Sequence, residues 1–205
     1  MLYEYLLTTF KPGEPIFMSD IELPGVNDPS LRQSFKTLAD SGDIIRYDNG
    51  VYYLPGPRGK EPLKISPNLV AKCKYITRNG QIFGYYAGAT FANQIGLNAQ
   101  VPFVKEIASN CSGGKYREIQ LKGQRFIIRK PKADINESNV ATLQFLDLLN
   151  TLDQTCDLGL DEAKARLEEF IAEADIKRED LDEYIHLYPE KVYKSIYVYS
   201  LYGAL

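Results

Sequence analysis

Few residues in this sequence have the types and spacing that catalysis requires. There is one histidine, His186, in an acidic segment with a helical pattern. A lone His there is far more often a surface or boundary residue than a catalyst. Cys73, Cys111 and Cys156 are far apart and form no C-x-x-C pair. They read as reduced thiols, and with one His they do not supply the usual ligand set of a zinc site. Ser112-Gly113-Gly114-Lys115 matches S-x-x-K, but the Gly-Gly pair puts it in a turn between strands, not at the start of a helix. Gly113-Gly114-Lys115 also has the ending of a phosphate loop, without its first Gly or its following Ser/Thr. No G-x-S-x-G elbow accompanies His186. Acidic pairs such as Glu168-Glu169 and Glu179-Asp180 alternate with apolar positions and read as a solvated face. The pattern is that of a binding protein, with no catalytic residues, metal or cofactor.

Charge is the stronger signal. The net charge of −3 hides its layout. Residues 1–60 carry 6 Lys/Arg and 8 Asp/Glu, residues 61–133 carry 12 and 3, and residues 134–205 carry 6 and 16. A basic middle suits an anionic partner, and an acidic tail does not. The plainer alternative is that the two segments are solvated or pack on each other. The 205 residues make one large domain or two small ones, and 44% hydrophobic content is enough for a core. No apolar run reaches the ~18 residues of a membrane span. Met1-Leu2-Tyr3-Glu4 lacks the basic start of a secretion signal, so a cytoplasmic location is expected.

The elements that would position a DNA-binding surface lie in the first 56 residues. Leu2, Leu6 and Phe10 mark one helix face, stopped by Lys11-Pro12-Gly13. Pro15 to Met18 reads as a short strand. Ser19-x-x-Glu22 fits a capping box, so a short helix is expected there, ended by Pro24-Gly25. Asp28 as N-cap and Pro29 at the first position open the next helix. Leu31, Phe35 and Leu38 form its buried stripe, and Gly42 closes it. Ile44–Tyr47, the turn Asp48-Asn49-Gly50 and Val51–Leu54 then read as a hairpin. Helix, strand, helix, helix, hairpin is the order of a winged helix-turn-helix. The helix from residue 28 is the expected recognition helix. Arg32 and Lys36 on its outer face can reach guanine or phosphate, Gln33 can pair with adenine, and Ser30 and Thr37 can donate to phosphate. Arg46 and Asn49 in the wing can touch the backbone.

Residues 57–64 read as a linker, since three Pro and two Gly between 55 and 62 exclude helix and central strand. Residues 65–205 read as a second α+β domain with a small antiparallel sheet and a helical C-terminal tail. Ser66-Pro67 should open a helix to about Arg78, broken by Asn79-Gly80. Ala87–Ile95 should be a small-residue helix ended by Gly96. Strands are expected over 103–109, 115–122 and 124–130, the last two closing a hairpin at Gly123. Lys115, Arg117, Lys122, Arg125, Arg129 and Lys130 make this hairpin the densest positive patch, and Lys115, Arg117, Arg125 and Arg129 are its expected phosphate contacts. Asn136, Asp161 and Pro189 should begin helices. The last, through Val192, Ile196 and Tyr199, is apolar around most of its circumference, which fits a buried helix or, as the alternative, a docking surface for a partner.

Several stretches resemble the AbiEi-like antitoxin and transcriptional regulator family of bacterial type IV toxin–antitoxin loci. In the first domain they are Phe35-x-x-Leu38 and SGDIIRYDNGVYYLP. In the second they are IFGYYAGATFANQIGLNAQVP, the EIASN stretch, REIQLKGQRFIIRKP and INESNVATLQFLDLL. The resemblance covers roughly residues 1–150. It implies a repressor whose winged helix binds double-stranded operator DNA, and a second domain acting against a nucleotidyltransferase-like toxin while its positive surface assists DNA binding. The rival expectation is a protein-interaction module that binds a partner protein without sequence-specific DNA binding.

Overall fold

Leu2 and Leu6 stand one turn apart, and α1 (Leu2–Thr9) buries both. They pack with Ile16, Leu31, Phe35, Ile44 and Tyr52 in the core of the first of two units, Met1–Val70 and Ala71–Leu205. The computed structural model describes residues 1–57 and 61–205 of this α+β protein. Of the expected linker, residues 58–60 lie outside the described residues.

In the first unit, β1 (Ile16–Phe17), α2 (Asp28–Asp40), β2 (Ile45–Asp48) and β3 (Val51–Tyr53) follow α1. The strands form an antiparallel sheet in the order β1-β3-β2. α2 lies on it through Phe35, whose ring centroid is 4.8 Å from that of Tyr52. Two expectations are corrected. The Ser19–Glu22 helix is only a 3₁₀ turn over Met18–Asp20. Ser19 Oγ donates to the Asp20 carboxylate, so the hydroxyl caps nothing, and Pro24 follows too soon for a second turn. The N-cap of α2 is Asn27, not Asp28: its Oδ1 accepts the Ser30 amide at 3.0 Å, and Pro29 is the second helical residue.

The division between the units falls within α3 (Pro67–Tyr75), whose first turn is capped by Ser66 Oγ accepting from the Leu69 amide. α3 stops short of Arg78 because β4 (Thr77–Arg78) pairs with β5 (Gln81–Ile82). Asn79 and Gly80 both have positive φ, 53° and 78°, so the residues expected only to break a helix turn a hairpin. β6 (Gly84–Ala87), α4 (Gly88–Gln94), β7 (Val104–Ser109), β8 (Tyr116–Leu121) and β9 (Gln124–Arg129) come next. The four strands form one sheet in the order β6-β7-β9-β8. The expectation of a purely antiparallel sheet fails here. β8 runs to the edge, and β9 returns between it and β7, parallel to β7.

α5 (Val140–Thr155), α6 (Leu160–Glu173), α7 (Arg178–Tyr184) and α8 (Glu190–Val198) complete the second unit around one apolar cluster. Asn136 caps the turn before α5, accepting from the Ser138 and Asn139 amides, and α6 starts after Gly159 rather than from an Asp161 cap. α8 buries Val192 and Ile196 alone among its nine residues. Tyr193, Tyr197 and Val198 face solvent, so the helix is buried on one side only and not over most of its circumference. Among the described residues no helix is long and apolar enough to cross a membrane.

Gly84 shows how tightly the sheet is covered. A Cβ there would stand 1.9 Å from the Tyr75 carbonyl oxygen and 2.8 Å from that of Ala108. Gly84→Ala should destabilise the second unit by about 1–3 kcal/mol, and Gly114→Ala, in open space, by under about 0.5 kcal/mol. Urea unfolding followed by tyrosine fluorescence will compare them.

Candidate nucleic-acid interface

The outer surface of α2 carries two adjacent stripes. Arg32, Lys36 and Asp40 repeat every four residues, beside Ser30, Gln33 and Thr37. Only the first stripe meets the hairpin. Arg32, Lys36 and Asp40 face Arg46, Asn49 and Gly50 across a groove of about 560 Å³ whose floor includes Met18, Ala39 and Tyr52. Three cations and one carboxylate line it.

The hairpin wall is shaped by local chemistry. Gly50 takes φ +70°, and its carbonyl accepts the Met18 amide at 2.9 Å. Asp48 Oδ1 accepts the Asn49 amide at 2.7 Å. A bulge between Arg46 and Asp48 re-aims the strand. Arg46 reaches back to the Asp48 carbonyl and to Asn49 Oδ1, each at 3.5 Å, the outer limit of a hydrogen bond. Its charge therefore remains available to an anion in the groove. Ser30, Gln33 and Thr37 are exposed and do not line the groove; the Thr37 hydroxyl donates to the Gln33 carbonyl.

The basic hairpin of the second unit is less positive than its sequence. Its cross-strand register sets Tyr85, Ala108, Arg129 and Tyr116 in one row on one face. Arg129 turns under α5. Its Nη2 donates to Asp147 Oδ2 at 2.7 Å and its Nε to Glu106 Oε1 at 2.6 Å. Asp147 is 2% exposed and Arg129 19%. Arg129 is thus an internal ion pair, and its assignment as a phosphate contact is corrected. Arg125 Nε donates to Glu118 Oε1 at 2.5 Å across the β8–β9 pair, so its charge is offset locally. Arg117 is exposed, and donates to the Tyr75 hydroxyl at 2.6 Å. Lys115 is exposed.

Tyr85 donates to the same Asp147 oxygen that receives Arg129. Burial, then the neighbouring Asp147 carboxylate, holds the Tyr85 phenol well above its ordinary value. Burial and Asp147 likewise raise Tyr188, whose hydroxyl donates to the Leu143 carbonyl. Burial opposes the Arg129 charge, but Asp147 and Glu106 more than offset it, so the guanidinium stays protonated. The sequence signal for this cluster was present but unread: an Asp in the middle of the apolar run LQFLDLLN can sit there only with a partner.

The other chemistry-bearing residues do not converge. Ser112 is buried and its amide bonds Ser109, while Lys115 is exposed. His186 is exposed, and the three cysteines form no disulfide. Among the described residues no three His, Cys, Asp or Glu side chains gather as a metal site. No protein-family model matches the chain, and no curated protein matches it significantly.

Two tests follow from the Asp147 cluster. Asp147→Leu should cost about 3 kcal/mol, because it leaves a buried Arg129 with one partner; urea midpoints will measure this. Stability should also fall above pH 10. Tyr85 and Tyr188 resist ionisation in the fold and ionise near 10 in the unfolded chain, so the unfolded state then holds fewer protons. The stabilisation is complete below pH 10 and is lost as pH rises towards the folded values. Tyr85→Phe should flatten that alkaline slope by about one proton.

Proposed function

We propose that the first unit is a winged helix that binds double-stranded operator DNA, with α2 in the major groove and the β2–β3 hairpin as the wing. The observation that carries the reading is the groove between them, where Arg32, Lys36, Arg46 and Asn49 face one another. A phosphodiester strand passing between helix and wing would meet three cations at once. Ser30, Gln33 and Thr37, on the stripe outside the groove, are free to approach base edges and flanking phosphates. Taken with the AbiEi-like stretches, this supports a cytoplasmic transcriptional repressor and antitoxin of a type IV locus, without catalytic activity. Its partners are then the operator and a nucleotidyltransferase-like toxin.

A second reading has an observation of its own. Tyr193, Tyr197 and Tyr202 are exposed at the C-terminal end, a composition that favours protein contact. A stoichiometric protein recovered from nuclease-treated native cells, together with no duplex binding, would favour a protein-interaction module.

The DNA reading is tested by fluorescence anisotropy on the duplex upstream of the native gene and on a scrambled duplex. Arg46→Ala should weaken both alike and reduce the salt slope by about 0.9. Gln33→Ala should lower discrimination by about 1–3 kcal/mol with little change in slope. Wild-type binding that is equal for the two duplexes would refute the repressor assignment.

A further inference from the structure

We propose that one face of the β8–β9 hairpin, carrying Lys115, Arg117 and Lys130, is a binding site for a condensed phosphate chain, as in tripolyphosphate or the phosphates of a nucleotide. The site belongs to a different unit from the duplex-binding groove and does not rest on that reading.

Three observations support it. First, the sheet separates its charges by face. The register puts Glu106, Ile127 and Glu118 in one row, on the same face as Arg125 and Arg129. Both acids of the sheet are paired there with those two arginines. The opposite face carries the row Tyr86, Ile107, Ile128 and Arg117, and in the row beyond it Lys115 stands opposite Lys130. The Lys130 amide donates to the Lys115 carbonyl at 3.2 Å. α3 packs on this face through Tyr75, and no Asp or Glu occurs between Pro62 and Lys105, so the helix brings no carboxylate. Among the described residues, Lys115, Arg117 and Lys130 have no carboxylate partner. Like charges directly across a strand pair repel. An anion between them turns that repulsion into attraction.

Second, Arg117 is oriented in advance. Its Nη2 donates to the hydroxyl of Tyr75, which is 2% exposed, at 2.6 Å, and its Cζ lies 5.5 Å from the Tyr75 ring centroid. The side chain has therefore lost much of its freedom before any ligand arrives, while its other N–H groups are left for one. Its Nη1 stands 3.8 Å from where a Gly113 side chain would begin, and no atom lies within 4 Å of that point at Gly114. The two glycines leave the approach to Arg117 and Lys115 uncovered. Lys74 Nζ lies 5.6 Å from the same Tyr75 ring, so α3 adds a further cation there.

Third, the spacing selects among anions. Directly opposed residues such as Lys115 and Lys130 have Cβ atoms about 5 Å apart, and Arg117 follows Lys115 on the same face after ~7 Å of strand. In the next row of that face, Ile119 and Phe126 separate Arg117 from Lys105, which is two strands away on β7. The cations thus form a knot rather than a track. An extended nucleic-acid backbone would bring only one or two phosphates into it. A phosphate chain brings several charges into the same space, on oxygens suited to guanidinium and ammonium donors.

The test is calorimetric titration of the full chain with sodium tripolyphosphate at fixed ionic strength. Lys115→Gln, Arg117→Gln and Lys130→Gln should each weaken binding about tenfold, the effect expected for one lost charge-assisted hydrogen bond. Lys122→Gln, in the turn at the other end of the hairpin, should bind as wild type does. Urea unfolding adds a second readout. Without ligand, Lys115→Gln should unfold at the wild-type midpoint or above it, because a repulsion has been removed. Tripolyphosphate should raise the midpoint of wild type and leave that of Lys115→Gln nearly unmoved. ATP without magnesium distinguishes the sources: tighter binding than tripolyphosphate assigns the site to a nucleotide, and equal or weaker binding to the phosphate chain alone. The proposal is overturned if wild type does not bind, or if the three hairpin variants bind as wild type does. It is also overturned if sulfate competes as well as tripolyphosphate, or if Arg46→Ala alone abolishes binding, which would place the ligand in the α2 groove. Displacement by a 12-nucleotide oligo-dT at a lower phosphate concentration would make the hairpin a nucleic-acid contact instead.

Discussion

A buried arginine cannot be left without a counter-charge, and the second unit is organised around that constraint. Arg129 lies on the sheet face covered by α5, and Asp147, nearly inaccessible in mid-helix, meets it. The uncompensated burial of either ion would cost several kcal/mol. The pair therefore fixes which turn of α5 lies over which row of the sheet. Tyr85 satisfies the same carboxylate oxygen, and Glu106 takes the second side of the guanidinium. Four residues from β6, β7, β9 and α5 are thus held in one register. The apolar contacts beside them, Leu143 and Ile135 with Ala87 and Ala108, need only fill space.

That constraint also controls what the basic segment can do. Its sequence carries many positive charges on a short hairpin, yet charge has effect only where it is not already paired. Arg129 is withdrawn into the core, and Arg125 faces Glu118. Lys115 and Lys130 stand at its open end, Lys122 lies in the turn at the other, and Arg117 is held against Tyr75 by a hydrogen bond that leaves its charge uncancelled. The hairpin is less positive than its sequence because two of its arginines are paired.

Much of the fold was legible because it rests on local chemistry. The stripe Leu31–Phe35, the Asp48-Asn49-Gly50 turn, the Lys122-Gly123 turn and the Ser66 cap depend on neighbours in sequence, and each appears close to where the pattern puts it. What was missed depends on distant partners. β6 could not be read from GYYA, because its strand character comes from pairing with β7, twenty residues on. The parallel β7–β9 pair requires β8 to take the edge, which no local signal encodes. The 3₁₀ turn at Met18–Asp20 shows the opposite failure: a good local motif, S-x-x-E, was overruled by Pro24 and by a serine that found a nearer acceptor. Of the expected DNA contacts, Arg32, Lys36, Arg46 and Asn49 come together in one groove. Arg129 does not belong with the others, for its role is decided by a helix eighteen residues further along the chain.

The first unit raises the sharper physical question, since residues 1–60 carry more acids than bases and the partner proposed for it, DNA, is an anion. Net charge is the wrong measure at this scale. Exposed charges are largely screened beyond about 8–10 Å in ordinary salt, so the field in a groove is set by the groups that line it. The acids of this unit are mostly engaged elsewhere in local structure. Glu14 accepts the Lys11 amide, Asp43 the Ser41 hydroxyl and Asp48 the Asn49 amide, while Glu4 pairs with the terminal amine. Each stabilises a turn or a helix start near its own position. Asp40 alone shares the groove with Arg32, Lys36 and Arg46. A unit that is acidic overall can therefore present a cationic cleft, because its carboxylates build the turns and its arginines face the space between helix and hairpin.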